Sequence, residues 1–147
     1  MKAETGLRVT EIWSFDPKTS IKIPLCIATV NAGFPSPAEG HIDRSLDLNE
    51  FLIKHPAATF LIKVTGTSMI QAGIHPGDIL IVDKSLDPQD NNIVIAILND
   101  EFTVKRFHRV NDKCYLMPEN PAFKPIELGG DMTLQVWGVV TWVIHKV

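Results

Sequence analysis

Residues 93–107 read IVIAILNDEFTVKRF. The first six are all apolar and mostly β-branched, which is typical of a strand buried on both faces. Asn99 and Asp100 favour a tight turn. Residues 101–107 then form a second strand-like run, in which Thr103, Lys105 and Phe107 share one face. The stretch therefore predicts a β-hairpin with a lysine on its second strand.

Further strand-like runs lie on both sides of this hairpin. They occupy residues 59–65, 78–83, 113–117 and 134–145. Gly138 inside the last run predicts a bend or bulge. Strands at this spacing, with a single helix, predict a mainly β body of the barrel or sandwich type.

The helix and the N-terminal part of the chain come before these strands. Asp47 is suited to cap a short helix, with Glu50 placed as in a capping box, and His55-Pro56 ends it. Residues 1–32 lack helical periodicity, and the alternating apolar side chains of 21–27 predict an extended arm. Two prolines and two glycines within 33–40 predict a hinge loop between the arm and the body.

Length and composition limit the class of protein. The 147 residues, 45% of them hydrophobic, predict one folded domain with an arm. No apolar run approaches the roughly 18 residues of a membrane span, and residues 1–6 lack the apolar block of a signal peptide, so we expect a soluble cytoplasmic protein. A net charge of −3 argues against tight binding of nucleic acid by this chain alone.

Ser68 and Lys105 are candidates for a nucleophile and its base. Ser68 follows a strand-like run within Gly66-Thr67-Ser68-Met69, and a serine hydroxyl becomes nucleophilic when a base removes its proton. A lysine amine can be that base once burial lowers its pKa. Apolar walls for the amine are expected from Ile93, Ile95 and Ile97. Taken singly, Ser68 fits a turn or helix-cap serine better than a nucleophile, and Lys105 fits a solvent-facing strand lysine better than a base.

Other arrangements of reactive side chains are weaker. A Ser68–His75–Asp83 triad is conceivable, but His75 lies in a tight Gly/Pro turn, and both Asp78 and Asp83 are suited to capping turns. The histidines, at 41, 55, 75, 108 and 145, show no metal-ligand spacing. Cys26 and Cys114 form no CxxC pair and are expected to be free thiols. The sequence therefore predicts no metal site.

Several motifs follow one another in an order that is similar to a known family. They are Ala32-Gly33-Phe34-Pro35-Ser36-Pro37-Ala38, Asp47-Leu48-Asn49, Gly66-Thr67-Ser68-Met69, Gly77-Asp78 and Phe102-Thr103-Val104-Lys105. Together they resemble the LexA-like self-cleaving serine–lysine peptidases, in particular their SOS-mutagenesis branch, over residues 33–147. The resemblance implies a LexA/signal-peptidase-like β body with one short helix and an extended N-terminal arm. It divides the chain into an arm, 1–32, that self-cleavage removes, and a peptidase-like domain, 33–147.

The resemblance also implies a mechanism. Lys105, when neutral, would remove the proton of Ser68, which would attack the carbonyl of Ala32. The backbone amides of Thr67 and Ser68 would form the oxyanion hole. The bond between Ala32 and Gly33 would be cut without any cofactor or metal ion.

Partners follow from the same resemblance. A RecA filament on single-stranded DNA is expected to stimulate the cut by shifting a conformational population. The processed homodimer is expected to join a UmuC-like, error-prone Y-family polymerase in translesion synthesis. Two other functions stay open: an interaction module with an inactive dyad, and a LexA-type regulatory domain. The sequence lacks a DNA-binding domain and a membrane anchor, which argues against a repressor and against a signal peptidase.

Overall fold

The computed structural model describes residues 7–14, 22–26, 42–128 and 134–147. Strands dominate this part of the chain, which confirms the mainly β prediction. The helix is α1 (Leu48–Leu52), and two 3₁₀ turns lie at Pro56–Ala58 and Ile70–Ala72. The strands are β1 (Arg8–Ser14), β2 (Lys22–Cys26), β3 (Ile42–Asp47), β4 (Thr59–Thr65), β5 (Ile79–Asp83), β6 (Ile93–Leu98), β7 (Glu101–Val110), β8 (Lys113–Met117), β9 (Ile126–Leu128) and β10 (Leu134–Ile144).

The described residues form two compact units. The larger contains 7–14 together with everything described from 57 onward, and the smaller contains 22–26 and 42–56. In the smaller unit β2 pairs with β3, and α1 follows directly. The Asp47 carboxylate accepts a hydrogen bond from the Asn49 amide at 2.9 Å, so the predicted helix cap is confirmed. The proposed division of the chain at residue 32 stays a prediction.

The larger unit is built on one eight-stranded antiparallel sheet. Its strand order is β1-β4-β5-β10-β6-β7-β8-β9. Register shifts interrupt β1 and, at two places, β10, and such bulges increase the twist and curl of a sheet. The curl brings β1 into contact with β7, although four strands separate them in the sheet order. This curl places the end of β4 and the middle of β7 close enough for their side chains to meet.

The hairpin predicted from residues 93–107 is present, and its turn fixes the register. Asn99 and Asp100 have φ values of 48° and 65°, as a type I′ turn requires. The register pairs Lys105 with Val94 and Thr103 with Ala96. Directly paired residues point to the same face, so the expected apolar walls at Ile93, Ile95 and Ile97 are wrong by one position. Val94 and Ala96 lie beside the lysine instead.

The core of the larger unit consists of two apolar clusters. The first contains Leu7, Ile62, Val64, Met69, Ile74, Leu80, Val82, Ile95 and Val104. The second contains Val94, Ala96, Leu98, Phe107, Leu116 and Val139. Both draw on β6 and β7, from alternating positions, so this hairpin is buried on both faces, as its apolar run predicts. The central hairpin therefore holds Lys105 between packed layers.

Gly138 marks the predicted irregularity in β10. The register shifts between Val136 and Gly138, which confirms the bulge. A Cβ atom at this position would lie 2.6 Å from Cγ1 of Val82, inside the first core cluster. Glycine is required here because β10 approaches β5 too closely for any side chain.

Predicted and observed strands agree best in the centre of the sheet. The bounds of β4, β6 and β8 match the predicted runs, whereas β7 extends three residues further, to Val110. The strands β1, β3 and β9 were not predicted, since their residues lack a clear alternating pattern. No helix in the described ranges has the length and apolarity that a membrane crossing needs.

Candidate active site at Ser68 and Lys105

Ser68 lies in a tight connection between β4 and β5. Gly66, with φ of 101°, turns the chain as β4 ends, and the 3₁₀ turn that follows closes at Gly73, with φ of 81°. Both values are in the left-handed region, which glycine adopts without strain. Met69 is fully buried in the first core cluster and anchors the turn. The serine is therefore held on a short, rigid segment at the end of a core strand.

Two residues after β8 fix the peptide planes around the serine. The Glu119 amide donates to the Ser68 carbonyl at 2.7 Å, and the Asn120 side-chain amide donates to the Thr67 carbonyl at 2.9 Å. Glu119 also accepts a hydrogen bond from the side chain of Arg106, the neighbour of Lys105 on β7. The strand that carries the lysine thus helps to hold the segment that carries the serine.

Lys105 projects from β7 toward Ser68. Its Nζ lies 3.2 Å from Ser68 Oγ, 3.0 Å from Thr103 Oγ1 and 3.3 Å from the Val104 carbonyl oxygen. Lys105 is 2% exposed and Ser68 is completely buried. The structure therefore brings the two predicted residues into hydrogen-bond contact across 37 positions of sequence.

Burial changes the protonation of this amine. Loss of solvent lowers the pKa of Lys105 to about 8, from 10.5 for an ordinary lysine. The three acceptors within 3.3 Å of Nζ given above are the hydroxyls of Ser68 and Thr103 and the carbonyl of Val104, and all three are uncharged. At pH 7 roughly one amine in ten is then neutral, compared with roughly one in three thousand at the ordinary pKa. The neutral amine is the form that can accept a proton from Ser68.

The N-terminal strand also reaches this site. The Leu7 amide donates a hydrogen bond to Ser68 Oγ at 3.0 Å, and the Leu7 side chain is buried in the first core cluster. From Arg8 onward the strand pairs with β4, the strand that leads to the serine. The serine hydroxyl is therefore covered by the beginning of its own chain.

The structure supplies residues that sequence reasoning did not assign to the site: Leu7, Thr103, Glu119 and Asn120. Thr103 can be recognised from the sequence, because it lies two positions before Lys105 and therefore on the same face of the strand. The other three contact the site through turns and long-range pairing, for which the sequence offers no local pattern. Ala32 and Gly33, the predicted cleavage site, lie outside the described residues.

The alternative triad is not assembled. Asp83 Oδ1 accepts hydrogen bonds from the amide and the hydroxyl of Ser85. His75 lies beside Asp78 instead, whose Oδ2 accepts the His75 backbone amide at 2.8 Å. Both aspartates therefore cap turns, as predicted. Cys114 is a free thiol, which confirms the expectation for that residue.

Comparison with known protein families gives a match over most of the chain. The model of the Peptidase S24-like family matches residues 24–141. This chain belongs to the Peptidase S24-like family. Serine peptidases that cleave themselves are typical of the family.

Individual relatives narrow the placement within the family. The chain is 42% identical to protein MucA of Salmonella typhimurium over 81% of its length and 82% of MucA. It is 44% identical to protein SamA of the same organism over 84% of its length and 85% of SamA. It is also 37% identical to LexA repressor 1 of Pseudomonas syringae, over 98% of its length and 70% of the repressor. The resemblance to UmuD and to the LexA-like peptidases, inferred from the motifs, is confirmed.

Proposed function

We propose that this protein is a self-cleaving serine peptidase of the SOS response. It cuts its own Ala32–Gly33 bond in the cytoplasm when a RecA filament stimulates it. The processed chain, as a homodimer, then serves as accessory subunit of an error-prone, UmuC-like Y-family polymerase. The observation that carries the proposal is the 3.2 Å contact between Ser68 Oγ and the buried amine of Lys105.

The first half of the reaction is an acyl transfer. Neutral Lys105 accepts the proton of Ser68 Oγ, and the oxygen attacks the carbonyl carbon of Ala32. The backbone amides of Thr67 and Ser68 stabilise the negative oxygen of the tetrahedral intermediate, an effect typically worth about 3 kcal/mol. The intermediate collapses when the Lys105 ammonium gives its proton to the Gly33 nitrogen, which leaves as an amine.

The second half releases the arm. Ala32 is now held to Ser68 as an ester, and Lys105 is neutral again. Lys105 takes a proton from a water molecule, whose oxygen attacks the ester carbonyl and frees residues 1–32. The proton then returns to Ser68 Oγ. The reaction needs one water molecule, and all of its proton transfers use the same amine.

The relatives support the biological part of the proposal. MucA and SamA are UmuD-family proteins of SOS mutagenesis, and both are similar to this chain along more than four fifths of its length. A RecA filament would act by favouring the conformation in which Ala32 reaches Ser68, and it would add no catalytic group. The polymerase would bind the body that begins at Gly33.

The direct test is incubation of the full chain with RecA, single-stranded DNA and a nucleotide. Mass spectrometry of the products is expected to show a new N-terminus at Gly33. Ser68→Ala and Lys105→Ala are each expected to abolish the cut while the circular dichroism spectrum stays unchanged. Gly33→Glu is expected to block it by steric exclusion.

Three results would contradict the proposal. An intact wild-type chain after incubation would favour a non-catalytic interaction module. Normal cutting by the Ser68 or Lys105 variant would refute the dyad. A new N-terminus elsewhere would refute the assigned bond.

A LexA-type regulatory domain is the second candidate, because 98% of the chain matches LexA repressor 1. In that case the chain, or a complex that contains it, would shift operator DNA in a gel at physiological salt. With a net charge of −3, we expect no shift by this chain alone.

A further inference from the structure

Three potential metal ligands meet where β5 begins and β10 ends, and none of them takes part in the proposed cleavage reaction. His75 and Asp78 belong to the turn that precedes β5, and His145 directly follows β10. The pairing of Ile79 with Ile144 brings these two parts of the chain together. Sequence spacing could not reveal this cluster, because 67 positions separate Asp78 from His145.

The three side chains offer their ligand atoms to one another at short range. One ring nitrogen of His75, one ring nitrogen of His145 and a carboxylate oxygen of Asp78 all lie within 4.8 Å of one another. His145 Nδ1 is 2.6 Å from Asp78 Oδ1, and His75 Nδ1 is 3.8 Å from Asp78 Oδ2. In a tetrahedral zinc site with bonds of about 2 Å, ligand atoms lie roughly 3.3 Å apart. The two distances lie on either side of that value and involve different oxygens of Asp78, so side chains must rotate to close the site around one ion.

One ligand atom has no other function in the fold. Nδ1 of His75 is shielded from solvent and has no hydrogen-bond partner within the described residues. Buried polar atoms are almost always hydrogen-bonded, so an unpaired ring nitrogen calls for an explanation. Its ring packs against His145, with centroids 4.8 Å apart, which holds the nitrogen near the carboxylate. This ring nitrogen therefore has no hydrogen-bond partner among the described residues and is available to a cation.

The carboxylate is fixed, and the two imidazoles are accessible. Asp78 is 3% exposed, and its Oδ2 accepts the His75 backbone amide. The side chains of His75 and His145 are 42% and 44% exposed. The cluster therefore combines a buried carboxylate with two half-exposed imidazole rings. A hydrogen bond that orients a ligating carboxylate is a recurrent feature of metal sites.

We propose that His75, Asp78 and His145 bind a divalent transition metal ion, with Zn²⁺ as the best match. Two imidazole nitrogens and one carboxylate oxygen suit zinc and its neighbours and do not suit Mg²⁺ or Ca²⁺, which prefer oxygen ligands. Three protein ligands leave a fourth position for water. A metal ion on His145 Nδ1 requires the tautomer whose proton is on Nε2, so binding replaces the contact between Nδ1 and Asp78. The ion would join the turn that follows the Ser68 segment to the end of β10.

This site does not depend on the proposed cleavage. It uses none of the residues of the reaction, and its test measures binding and thermal stability. The experiment uses the untagged full chain in the Ser68→Ala background, which keeps the chain intact. Titration with Zn²⁺ by calorimetry is expected to give one ion per chain. At 100-fold excess over Kd, the Tm is expected to rise by roughly 5–10 °C.

Variants locate the ion. His75→Ser and His145→Ala each remove one half-exposed ligand and should fold normally, and each is expected to weaken binding at least tenfold. His108→Ala is the matched control: His108 pairs with Asp90 at 2.8 Å in a second histidine–carboxylate contact, and no third ligand is near it within the described residues. The control is expected to bind Zn²⁺ as the parent does. Mg²⁺ is expected to give no Tm shift.

Two outcomes would overturn the proposal. The first is the absence of saturable Zn²⁺ binding by the parent chain. The second is unchanged affinity in both the His75 and the His145 variant, which would place the ion elsewhere, for example on a thiol. A Co²⁺ complex of the parent is expected to show the intense visible absorption of a four-coordinate ion, and an octahedral spectrum would contradict the assigned geometry.

Discussion

The amide of Leu7 lies 3.0 Å from Ser68 Oγ, across 61 positions of sequence, and donates a hydrogen bond to it. Both residues are completely buried. A scissile carbonyl must come within about 3–3.5 Å of the attacking oxygen, and that space holds the Leu7 backbone. Under the proposed mechanism, cleavage of the Ala32–Gly33 bond would therefore require that Leu7 leave first. In the structure, Leu7 covers the proposed nucleophile.

Weakening the Leu7 contact should accelerate self-cleavage. Burial of a leucine side chain contributes about 2 kcal/mol, so Leu7→Ala should raise the undocked population, and the spontaneous rate, by roughly thirtyfold. Ile12→Ala is the matched control, since Ile12 lies on β1, the strand that directly follows Leu7, but is 41% exposed. Rates without RecA, followed by gel densitometry, test this. A slower Leu7 variant would mean that the docked strand assists the reaction.

The rate of self-cleavage should follow the protonation of Lys105. Burial lowers the pKa of this amine to about 8, and only the neutral form accepts the serine proton. The rate should therefore rise with pH through a midpoint near 8 and become constant above it. Single-turnover rates between pH 6 and 10 measure the midpoint. A flat profile, or one centred on the range of an ordinary lysine, would argue against this base.

The free energy of unfolding should also depend on the protonation of Lys105. The pKa of Lys105 is about 8 in the folded chain and 10.5 when unfolded. Between these values the unfolded chain binds more protons, so the free energy of unfolding rises with pH over that interval. The rise is on the order of 3 kcal/mol and is complete above pH 10.5. Below pH 8 the full cost of burying the charge is present.

Denaturant unfolding of two variants isolates this effect. Ser68→Ala retains the amine, and Ser68→Ala/Lys105→Met replaces it with an apolar side chain of similar length. The double variant is expected to be the more stable at pH 7, and the difference should shrink between pH 8 and 10.5. A constant difference across this range would show that Lys105 titrates normally in the folded chain.

Thr103 is expected to position the lysine. Its Oγ1 lies 3.0 Å from Lys105 Nζ in a fully buried environment. Thr103→Val keeps the shape and removes this acceptor, so the ammonium loses stabilisation and the pKa of the amine should fall further. The midpoint of the pH profile should move to lower pH, and the maximal rate should drop about tenfold as the amine loses its orientation.

Thr103→Ser is the control for this substitution. It restores an acceptor at the same place, and both the midpoint and the maximal rate should return toward the wild-type values. A Val variant with an unchanged midpoint would assign Thr103 a purely structural part in the core.

Local sequence patterns were sufficient for the central strands. The apolar run before Asn99 gave β6, and the two turn residues give the register that pairs Val94 with Lys105. The predicted apolar walls at Ile93, Ile95 and Ile97 are wrong because this register places these residues on the opposite face of the hairpin from Lys105. The edge strand β1 was missed because its residues are mostly exposed and show no alternation. The position of β1 is decided by its pairing with β4 and by the burial of Leu7 in the first core cluster.

The sequence alone determined the family, the central hairpin and the order and spacing of Ser68 and Lys105, since these depend on residue types and on short-range backbone preferences. The tertiary structure decided that the two side chains touch, that Leu7 covers the serine, and that His75, Asp78 and His145 meet. These contacts join segments 37 to 67 positions apart. They arise from the curl and the register of one antiparallel sheet, and both are properties of the packed molecule that no single segment encodes.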